Sequence, residues 1–340
     1  MIAKKIVTRG AWALIIIVLA TATLLFYALY ELNRYASLPA AKNAESVTFV
    51  VRSGQGVAEI SRLLAADGII RQPIEFRLFS RLNGFDKKIK SGEFKLSAVM
   101  SPSEILEKLV KGEVVLYRLT IPEGYTMAQI ADLVGNSGIS GRDGFLKALS
   151  DRRLLARLHI DAGSFEGYLF PDTYFFPKNT PADRIIAVLV DRFNAVFTPE
   201  YRKRAKQLGF SVHEIMTLAA MIEKETGAPE ERPLISSVFH NRLKLGMRLE
   251  SDPTVIYGIK EFDGNITRKD LAEPTPYNTY RINGLPPGPI ANPGEKAIEA
   301  ALYPAETPYL YFVAKKDGTH HFSTNITEHN RAVAKYQLQQ

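Results

Sequence analysis

The sequence of 340 residues contains no cysteine. This absence excludes disulfide bonds, thiolate metal sites, a cysteine nucleophile and lipid modification through cysteine. The composition is otherwise that of an ordinary globular protein, because 46% of the residues are hydrophobic and 23% are charged. A chain of this length can hold two or three domains. The class of function must therefore be inferred from other residue types and from their order.

The six histidines, at positions 159, 213, 240, 320, 321 and 329, have no spacing typical of a metal site. His320 and His321 are adjacent on a predicted strand, so their side chains point to opposite faces and cannot share an ion. The glycine-rich motifs of nucleotide-binding loops and the G-x-S-x-G motif of hydrolases are also missing. We therefore expect no metal and no cofactor, while a serine–lysine hydrolase stays open.

Charge of one sign is only in modest excess, with a formal net charge of +7. Part of this excess lies at Lys4, Lys5 and Arg9, and the remainder is scattered along the chain. Scattered positive charge does not indicate nucleic acid binding, so we expect no nucleic acid partner. It is compatible with binding to a surface that carries carboxylates.

A long uncharged stretch covers residues 10–30 and is rich in isoleucine, leucine, alanine and valine. It is long enough to cross a bilayer as one helix. The positive charges before it predict a cytoplasmic N-terminus (1–10), a transmembrane helix (11–30) and a linker (31–45). The predicted location is the inner (cytoplasmic) membrane, crossed once, with the remainder periplasmic or extracytoplasmic. A cleaved signal peptide is the alternative, but its apolar region is normally shorter.

An internal repeat relates residues 48–70 to residues 118–139. Each copy is typical of a strand, a glycine turn, an amphipathic helix and a Gly-Ile exit. This pattern resembles LysM domains, which bind glycans that contain N-acetylglucosamine. We therefore predict LysM-like α/β modules over residues 46–140. The alternative is a structural unit that binds no ligand.

The remaining patterns predict helices and strands without a regular alternation, and hence an α+β fold. The predicted helices cover residues 73–82, 102–111, 183–197 and 230–245, and a β-hairpin covers residues 309–324. We predict a separate domain over residues 141–340, which contains the candidate chemistry.

A helix over residues 211–227 is predicted to be the buried centre of this domain. Ser211 and Glu214 form a capping box, and residues 215–222 carry no charge. A helix that is apolar on all faces is a buried helix. Glu223 follows directly, where desolvation and the negative end of the helix dipole would both favour the protonated acid. Such a group suits general acid catalysis, although a solvated helix end is the alternative.

Glu225 lies two residues further on, roughly 200° around the helix from Glu223. It should not face the same substrate. We predict that Glu225 makes a structural salt bridge or hydrogen bond.

Two loops carry candidate walls of a binding site. Residues 164–180 are dense in aromatic side chains and include Glu166 and Asp172. Residues 284–294 are rich in proline and glycine, and such a stiff loop has little conformational entropy left to lose. Aromatic and acidic groups suit sugar binding, but they suit a plain core equally well. Further polar groups able to orient a sugar are Asn241, Tyr277, Asn278 and Tyr280.

Five segments together carry a family resemblance. They are FEGYLFPDTY (165–174), MIEKET (221–226), SVFHNRLKLGMRLESDPTVIYG (237–258), YNTYRINGLPPGPIANPG (277–294) and TPYLYFVAKKDGTHHFSTNITEHN (307–330). The chain resembles the MltG-type (YceG-like) endolytic murein transglycosylases. The N-terminal anchor and the LysM-like region also fit that family, so the resemblance covers essentially the whole chain.

The resemblance implies a lyase that cleaves the MurNAc–GlcNAc β-1,4 bond inside nascent peptidoglycan strands and leaves 1,6-anhydro-MurNAc ends. It implies a role as a terminase of glycan polymerisation. The family's catalytic glutamate, the first of E-K-E-T, corresponds to Glu223. We assign substrate binding to Glu166, Asn241, Tyr277 and Asn278. The expected partners are glycan strands and the membrane, and the location is compatible with contact with peptidoglycan synthases.

Two alternatives belong to other classes. A glycoside hydrolase of the same polymer needs a second carboxylate, for which Glu166, Asp172 and Asp252 are candidates. A non-catalytic scaffold of the cell-wall synthesis machinery would bind glycan strands and leave their length unchanged.

Overall fold

The computed structural model describes the backbone of residues 2–338 and the side chains of residues 11–338. The described chain is α+β and mostly helical, and its strands form three two-stranded antiparallel sheets. It divides into two compact units, Met1–Leu116 and Tyr117–Gln340.

The first unit is a small α+β core with one long N-terminal helix. Its helices are α1 (Ile2–Ser37), α2 (Val57–Ala66), α3 (Pro73–Leu82) and α4 (Pro102–Lys111), and its strands are β1 (Val47–Val51) and β2 (Gly92–Leu96). Phe49 pairs with Phe94 in the antiparallel register of β1 and β2, and both side chains are buried. The predicted helices over 73–82 and 102–111 are confirmed, and a capping box of Ser101 and Glu104 starts the latter.

Helix α1 extends into the residues predicted to be a linker, 31–45. It is long and apolar enough over Ala11–Ser37 to cross a membrane, but it continues without a break to Ser37. Residues 31–37, predicted to be linker, are therefore helical. Leu32 and Ala36 are buried in the first unit, and this packing keeps the last turns helical.

The second unit surrounds one buried helix. Its helices are α5 (Met127–Asn136), α6 (Arg142–Leu149), α7 (Arg152–Arg157), α8 (Ala182–Val196), α9 (Pro199–Leu208), α10 (Val212–Glu225), α11 (Arg232–Lys244), α12 (Asp252–Gly258), α13 (Arg268–Ala272), α14 (Glu295–Leu302) and α15 (Ile326–Val333). Its strands are β3 (Tyr117–Thr120), β4 (Thr173–Phe176), β5 (Tyr311–Ala314) and β6 (His320–Ser323). A 3₁₀ turn, Pro229–Glu231, precedes α11, and a π-helical turn, Ala334–Leu338, follows α15.

Helix α10 is the predicted central helix. Ser211 and Glu214 form the capping box, and every residue from Ile215 to Ile222 is buried. Its main neighbour is α14, and it also packs against α11. Alanines on both α10 and α14, such as Ala219 and Ala301, are buried and let the two backbones approach closely.

Both copies of the repeat fold as a strand, a glycine turn and a helix. Gly54 and Gly124 occupy the turns with φ of +83° and +74°, where a residue with a side chain would be strained. The first copy lies in the first unit and the second copy, β3 with α5, lies in the second. The compact units divide at 116, because β3 pairs with β4 of the second unit, and the domain boundary after residue 140 stays a prediction.

Candidate active site

Glu223 lies in the last turn of α10 and its side chain is only 7% exposed. One carboxylate oxygen, Oε1, accepts a hydrogen bond from Arg232 Nη2 at 3.0 Å. The other, Oε2, accepts from the backbone N–H of Gly294, also at 3.0 Å. Both oxygens are therefore held in place, and the carboxylate has a fixed orientation at the end of the buried helix.

Arg232 is the first residue of α11, directly after the 3₁₀ turn. Its position is fixed by the residue before it, because Glu231 accepts from the backbone N–H of His320 at 2.8 Å and contacts His320 Nδ1 at 2.7 Å. Arg232 Nε is buried and has no hydrogen-bond partner among the described residues. The guanidinium therefore points its Nη2 donor at Glu223, while its Nε donor is not used by other described residues.

A second carboxylate lies beside the first. Arg232 Nη2 is 3.7 Å from Glu123 Oε2, and the Glu123 side chain is 50% exposed. Burial and the negative charge of Glu223 raise the pKa of Glu123, and the positive charge of Arg232 opposes this shift. One guanidinium therefore interacts with two carboxylates, one buried and one half-exposed.

Two glycines make this close arrangement possible. A Cβ added to Gly294 would overlap the Glu123 carboxylate. Gly124 has φ of +74°, and a Cβ there would meet Glu223 Cγ at 3.6 Å. The turn around Gly124 and the loop before α14 also pair directly, because Gly124 N donates to Asn292 O and Asn292 N donates to Tyr125 O, both at 2.9 Å. The two loops are thus locked together over Glu223.

Glu223 and the loop that ends at Gly294 are both predicted from the sequence, whereas Arg232 and Glu123 are not. One signal was available for Glu123, because the first copy of the repeat has Ser53 at the corresponding position of the turn. An acid present in one copy only indicates a use beyond folding. No local pattern indicates Arg232, and the Pro/Gly-rich pattern of residues 284–294 does not show that the Gly294 N–H contacts Glu223.

Glu166 is buried and accepts hydrogen bonds from three different segments. Its donors are Met127 N at 3.0 Å, Asn292 Nδ2 at 2.9 Å and Tyr257 OH at 3.2 Å. Burial raises the pKa of Glu166 to about 7, although these hydrogen bonds oppose the shift. Glu166 connects the start of α5, the loop before α14 and α12, and so supports the loops that cover Glu223.

A cavity of about 730 Å³ lies against Glu166. Lys224, the neighbour of Glu223 in α10, also lines it, together with apolar side chains such as Ile256 and Ile290. Its volume is in the range that receives a small ligand. Tyr257 forms another part of the wall, and Tyr277 packs on Tyr257 with ring centroids 4.9 Å apart.

The two predicted asparagines are engaged within the protein. Asn278 is buried, and its Nδ2 donates to the carbonyl oxygens of Asp270, Leu271 and Glu273. Asn241 Nδ2 donates to the carbonyl oxygens of Thr307 and Tyr309. These contacts shape the loops around α13 and before β5, and none of them reaches Glu223. Their assignment to substrate binding remains a prediction.

The prediction for Glu225 is confirmed, because Ser251 Oγ donates a hydrogen bond to Glu225 Oε1. Burial raises the pKa of Glu225 to about 7, and the Ser251 hydrogen bond opposes the shift. Glu225 belongs to a different polar cluster from Glu223, in which Arg242 pairs with Glu250 at 3.1 Å and Tyr280 OH donates to Asp252 at 2.7 Å.

The arrangement suits acid–base chemistry by one carboxylate. Glu223 is desolvated and oriented. Arg232 and the backbone N–H of Gly294 donate hydrogen bonds that stabilise its ionised form after it gives up a proton. Within residues 11–338, no group of three or more histidine, aspartate or glutamate side chains is arranged to hold a metal ion.

Comparisons with known proteins agree with one another. The model of the YceG-like family matches residues 49–335. The chain is 33% identical to the endolytic murein transglycosylase of Bacillus subtilis (strain 168), over 88% of this chain and 87% of that protein. It is 32% identical to the endolytic murein transglycosylase of Streptococcus pneumoniae serotype 2, over 87% of this chain and 59% of that protein. A 2.6 Å crystal structure of a YceG-like protein from Listeria monocytogenes is 36% identical, with a TM-score of 0.59, and the match covers 85% of this chain and 100% of that chain.

Proposed function

The chain belongs to the YceG-like family, and we propose that it is an endolytic peptidoglycan lytic transglycosylase with Glu223 as its catalytic acid. The observation that carries the proposal is the buried, oriented carboxylate of Glu223 at the end of α10. The relatives named endolytic murein transglycosylase support the reaction class and the polymer.

The reaction on this proposal breaks the β-1,4 bond between MurNAc and GlcNAc. Protonated Glu223 donates its proton to the glycosidic oxygen, and the GlcNAc leaves with a free 4-hydroxyl. The C6 hydroxyl of MurNAc then attacks the oxocarbenium-like C1, and ionised Glu223 accepts the hydroxyl proton. The product carries a 1,6-anhydro ring, no water is consumed, and Glu223 ends protonated as it began. One carboxylate is sufficient, unlike the pair that ordinary glycosidases need.

Arg232 supports this cycle through its two partners. While Glu223 is ionised, the guanidinium stabilises it at 3.0 Å. When Glu223 holds a proton, the guanidinium can shift toward Glu123, which it already approaches to 3.7 Å. Glu123 is then a positioning residue that keeps the cation paired in both halves of the cycle.

The cavity beside Lys224 is the proposed site for part of the strand. Tyr257 offers aromatic surface, Tyr277 packs against the Tyr257 ring, and Glu166 holds the wall in shape. The Lys224 ammonium can attract carboxylates of the peptidoglycan. Asn241 and Asn278 are kept as proposed substrate-binding residues of the surrounding loops, which their amides also shape through hydrogen bonds to backbone carbonyl groups.

The location and domain roles complete the proposal. Helix α1 would anchor the chain in the inner membrane with the remainder outside the cytoplasm, which suits a terminase acting on emerging strands. We propose that the region 46–140 contributes LysM-like glycan binding and that 141–340 carries catalysis, with the second repeat packed into the catalytic unit. Contact with peptidoglycan synthases follows from this location.

The test is mass spectrometry of peptidoglycan digested by the full-length protein in detergent. We expect internal cuts that end in 1,6-anhydro-MurNAc. Glu223→Gln should reduce cleavage by about 10³-fold, because general acid catalysis is worth ~10²–10⁴-fold. The variant should still fold, because glutamine can accept the Gly294 hydrogen bond.

The matched control is Glu225→Gln, the same change two residues along the same helix, and it should retain activity. Reducing MurNAc ends would favour a hydrolase instead. Intact strands with retained binding would favour a scaffold, and full activity of Glu223→Gln would contradict the catalytic assignment.

A further inference from the structure

Helix α3 has two apolar faces, and only one of them is in the core. Phe76 and Ser80 are buried on one side. On the opposite side Ile74, Leu78 and Leu82 are 76%, 49% and 59% exposed. These three residues are spaced four apart and form a continuous stripe along the helix, which we call the α3 stripe. A stripe of large aliphatic side chains on a helix with a packed opposite face indicates an interaction surface.

Helix α1 is built into the same unit as α3. Its last turns bury Leu32 and Ala36, and Tyr35 OH donates to Gln72 O at 2.8 Å, directly before α3 begins. Ser103 Oγ donates to Ala36 O at 2.8 Å from α4. The apolar segment therefore enters the folded unit as one continuous helix, with no flexible tether between them.

The α3 stripe lies beside the end of the apolar segment. Leu78 and Ala28 line the same cavity, of about 430 Å³, in which Leu32 and Tyr35 also take part. Ala28 is within the predicted transmembrane residues 11–30. The helical rise of about 1.5 Å per residue puts only ~10 Å between residue 30 and the end of α1. That distance is comparable to the interfacial zone of a bilayer.

The exposed basic charge on α3 matches a lipid surface, whereas its acidic residue, Glu75, is half-buried and lines the cavity against α1. Arg77 and Arg81 are exposed, and each lies three residues after a member of the α3 stripe, on its flank. Basic side chains beside an aliphatic stripe are typical of helices that lie in the plane of a membrane interface. Their guanidinium groups can reach phosphate groups while the stripe enters the acyl boundary.

We propose that α3 lies in the interface of the membrane that α1 crosses, with the α3 stripe in contact with lipid and Arg77 and Arg81 at anionic headgroups. This inference rests on the membrane anchor proposed above. It means that the first unit is held flat on the bilayer at two elements. The orientation of this unit to the membrane is then fixed, rather than left to rotation about α1.

The absence of cysteine allows a direct test in the full-length protein. Single variants Ile74→Cys, Leu78→Cys and Leu82→Cys are labelled with a polarity-sensitive fluorophore and reconstituted in phosphatidylethanolamine–phosphatidylglycerol vesicles with brominated acyl chains. Phe26→Cys in α1 reports the anchor, and Lys95→Cys on β2 reports an exposed position. We expect the emission of the three α3 labels to be shifted to the blue relative to the Lys95→Cys label. We also expect brominated lipid to quench each of them by at least about half of the quenching at Phe26→Cys, because interfacial helices place their apolar face at the acyl boundary.

The outcomes separate the inference from the anchor. If the labels on α3 are as little quenched as Lys95→Cys while Phe26→Cys is quenched, the inference is wrong and the anchor is unaffected. No quenching at Phe26→Cys would overturn both. A blue shift at α3 without quenching by brominated lipid would overturn the inference in favour of a protein that covers the α3 stripe.

A second variant tests the charge. Arg77→Glu with Arg81→Glu, in the Leu78→Cys background, should reduce quenching in vesicles that contain phosphatidylglycerol and have less effect in uncharged vesicles. The reason is that each basic residue near an anionic surface adds about 1 kcal/mol of binding, roughly fivefold. Unchanged quenching in both vesicle types would contradict the assigned role of the two arginines.

Discussion

At the scale of residues, the active site depends on contacts that bring distant side chains to one carboxylate. Glu223 receives a hydrogen bond from Gly294, which is 71 residues further along the chain, and from Arg232 at the start of the next helix. The surrounding space is nearly filled, because Glu123 packs against the Cα of Gly294. Small changes at these positions should therefore affect chemistry more than stability.

Glu123→Gln is expected to slow cleavage by about tenfold without abolishing it. Without the second carboxylate, Arg232 has only Glu223 as an ionised partner, and a half-exposed ion pair such as Arg232–Glu123 is worth on the order of 1 kcal/mol, which is roughly five- to tenfold in rate. The decrease should be larger at higher pH. The measurement is kcat/KM against pH on isolated strands.

The same variant distinguishes the two enzyme classes. If Glu123→Gln abolishes cleavage as completely as Glu223→Gln, the second carboxylate takes part in the chemistry. The single-acid mechanism would then be wrong, and reducing ends in the wild-type digest would identify a hydrolase.

Gly294→Ala should lower activity at least tenfold, because the new Cβ displaces the Glu123 carboxylate and shifts the N–H that binds Glu223. Gly141→Ala is a matched control. Gly141 is also the N-cap of a helix with extended backbone, but a Cβ there meets no atom within 4 Å. Both substitutions replace a favourable N-cap residue and should lower helix stability by a similar amount. Only Gly294→Ala should therefore change turnover. Equal activity of the two variants would contradict the close packing assigned to Gly294.

At the scale of elements, α10 is stabilised at its start by local interactions and along its length by burial. The Ser211 hydroxyl accepts from Glu214 N at 3.2 Å, and Glu214 Oε2 accepts from Ser211 N at 2.7 Å. Ser211→Ala should therefore cost about 1 kcal/mol, the usual effect of a lost N-cap. Thermal unfolding of the second unit is the measurement, and an unchanged midpoint would show that burial alone determines this helix start.

The C-terminal end of α10 introduces a dependence on pH. The pKa of Glu225 is raised from 4.5 to about 7 by burial, so the folded protein holds a proton that the unfolded chain releases between these values. The contribution of Glu225 to the free energy of unfolding should be fully present below about pH 4.5. It should decrease as the pH rises to about 7, by at most about 3 kcal/mol. Glu225→Gln should remove this decrease and retain a partner for Ser251.

The measurement is the difference in unfolding midpoint between Glu225→Gln and wild type at several pH values. The variant should gain stability relative to wild type as the pH rises from about 5 to about 8, because wild-type Glu225 loses its proton over this range. A difference that does not change with pH would contradict the burial of an ionisable Glu225. Glu166, whose pKa is also raised to about 7, contributes in the same direction in both proteins.

At the scale of the whole molecule, the proposed membrane anchor and the proposed chemistry lie in different units of the chain. The first unit contains α1 and the α3 stripe, whereas the hydrogen-bond partners of Glu223 among the described residues, Arg232 and Gly294, lie in the second unit. The repeat is shared between them, and its second copy contributes the turn that carries Glu123 and Gly124 to the active site. The same strand–turn–helix pattern thus belongs to the core of one unit and, with Glu123 where the first copy has Ser53, to the proposed active site of the other.

Several features of the fold follow from the sequence by itself. The capping box and the uncharged residues 215–222 predict a buried helix, and the structure confirms both because capping and burial are local or compositional properties. The hairpin over 309–324 is confirmed as β5 paired with β6. The position of Glu223 at a helix end follows from the same pattern.

Only the tertiary structure decided which groups meet Glu223. Arg232 carries no local signal, and the loop that ends at Gly294 is predicted from its composition, but its contact with Glu223 depends on the pairing of that loop with the Gly124 turn. The same pairing uses Glu166 as a hydrogen-bond acceptor for three segments. Residue type alone predicts Asn278 and Asn241 as substrate-binding groups. The partner of an amide depends on the fold around it, and both amides donate to backbone carbonyl groups. Helix burial is encoded along a few turns of sequence, whereas a catalytic environment is made by segments that are joined only when the chain packs.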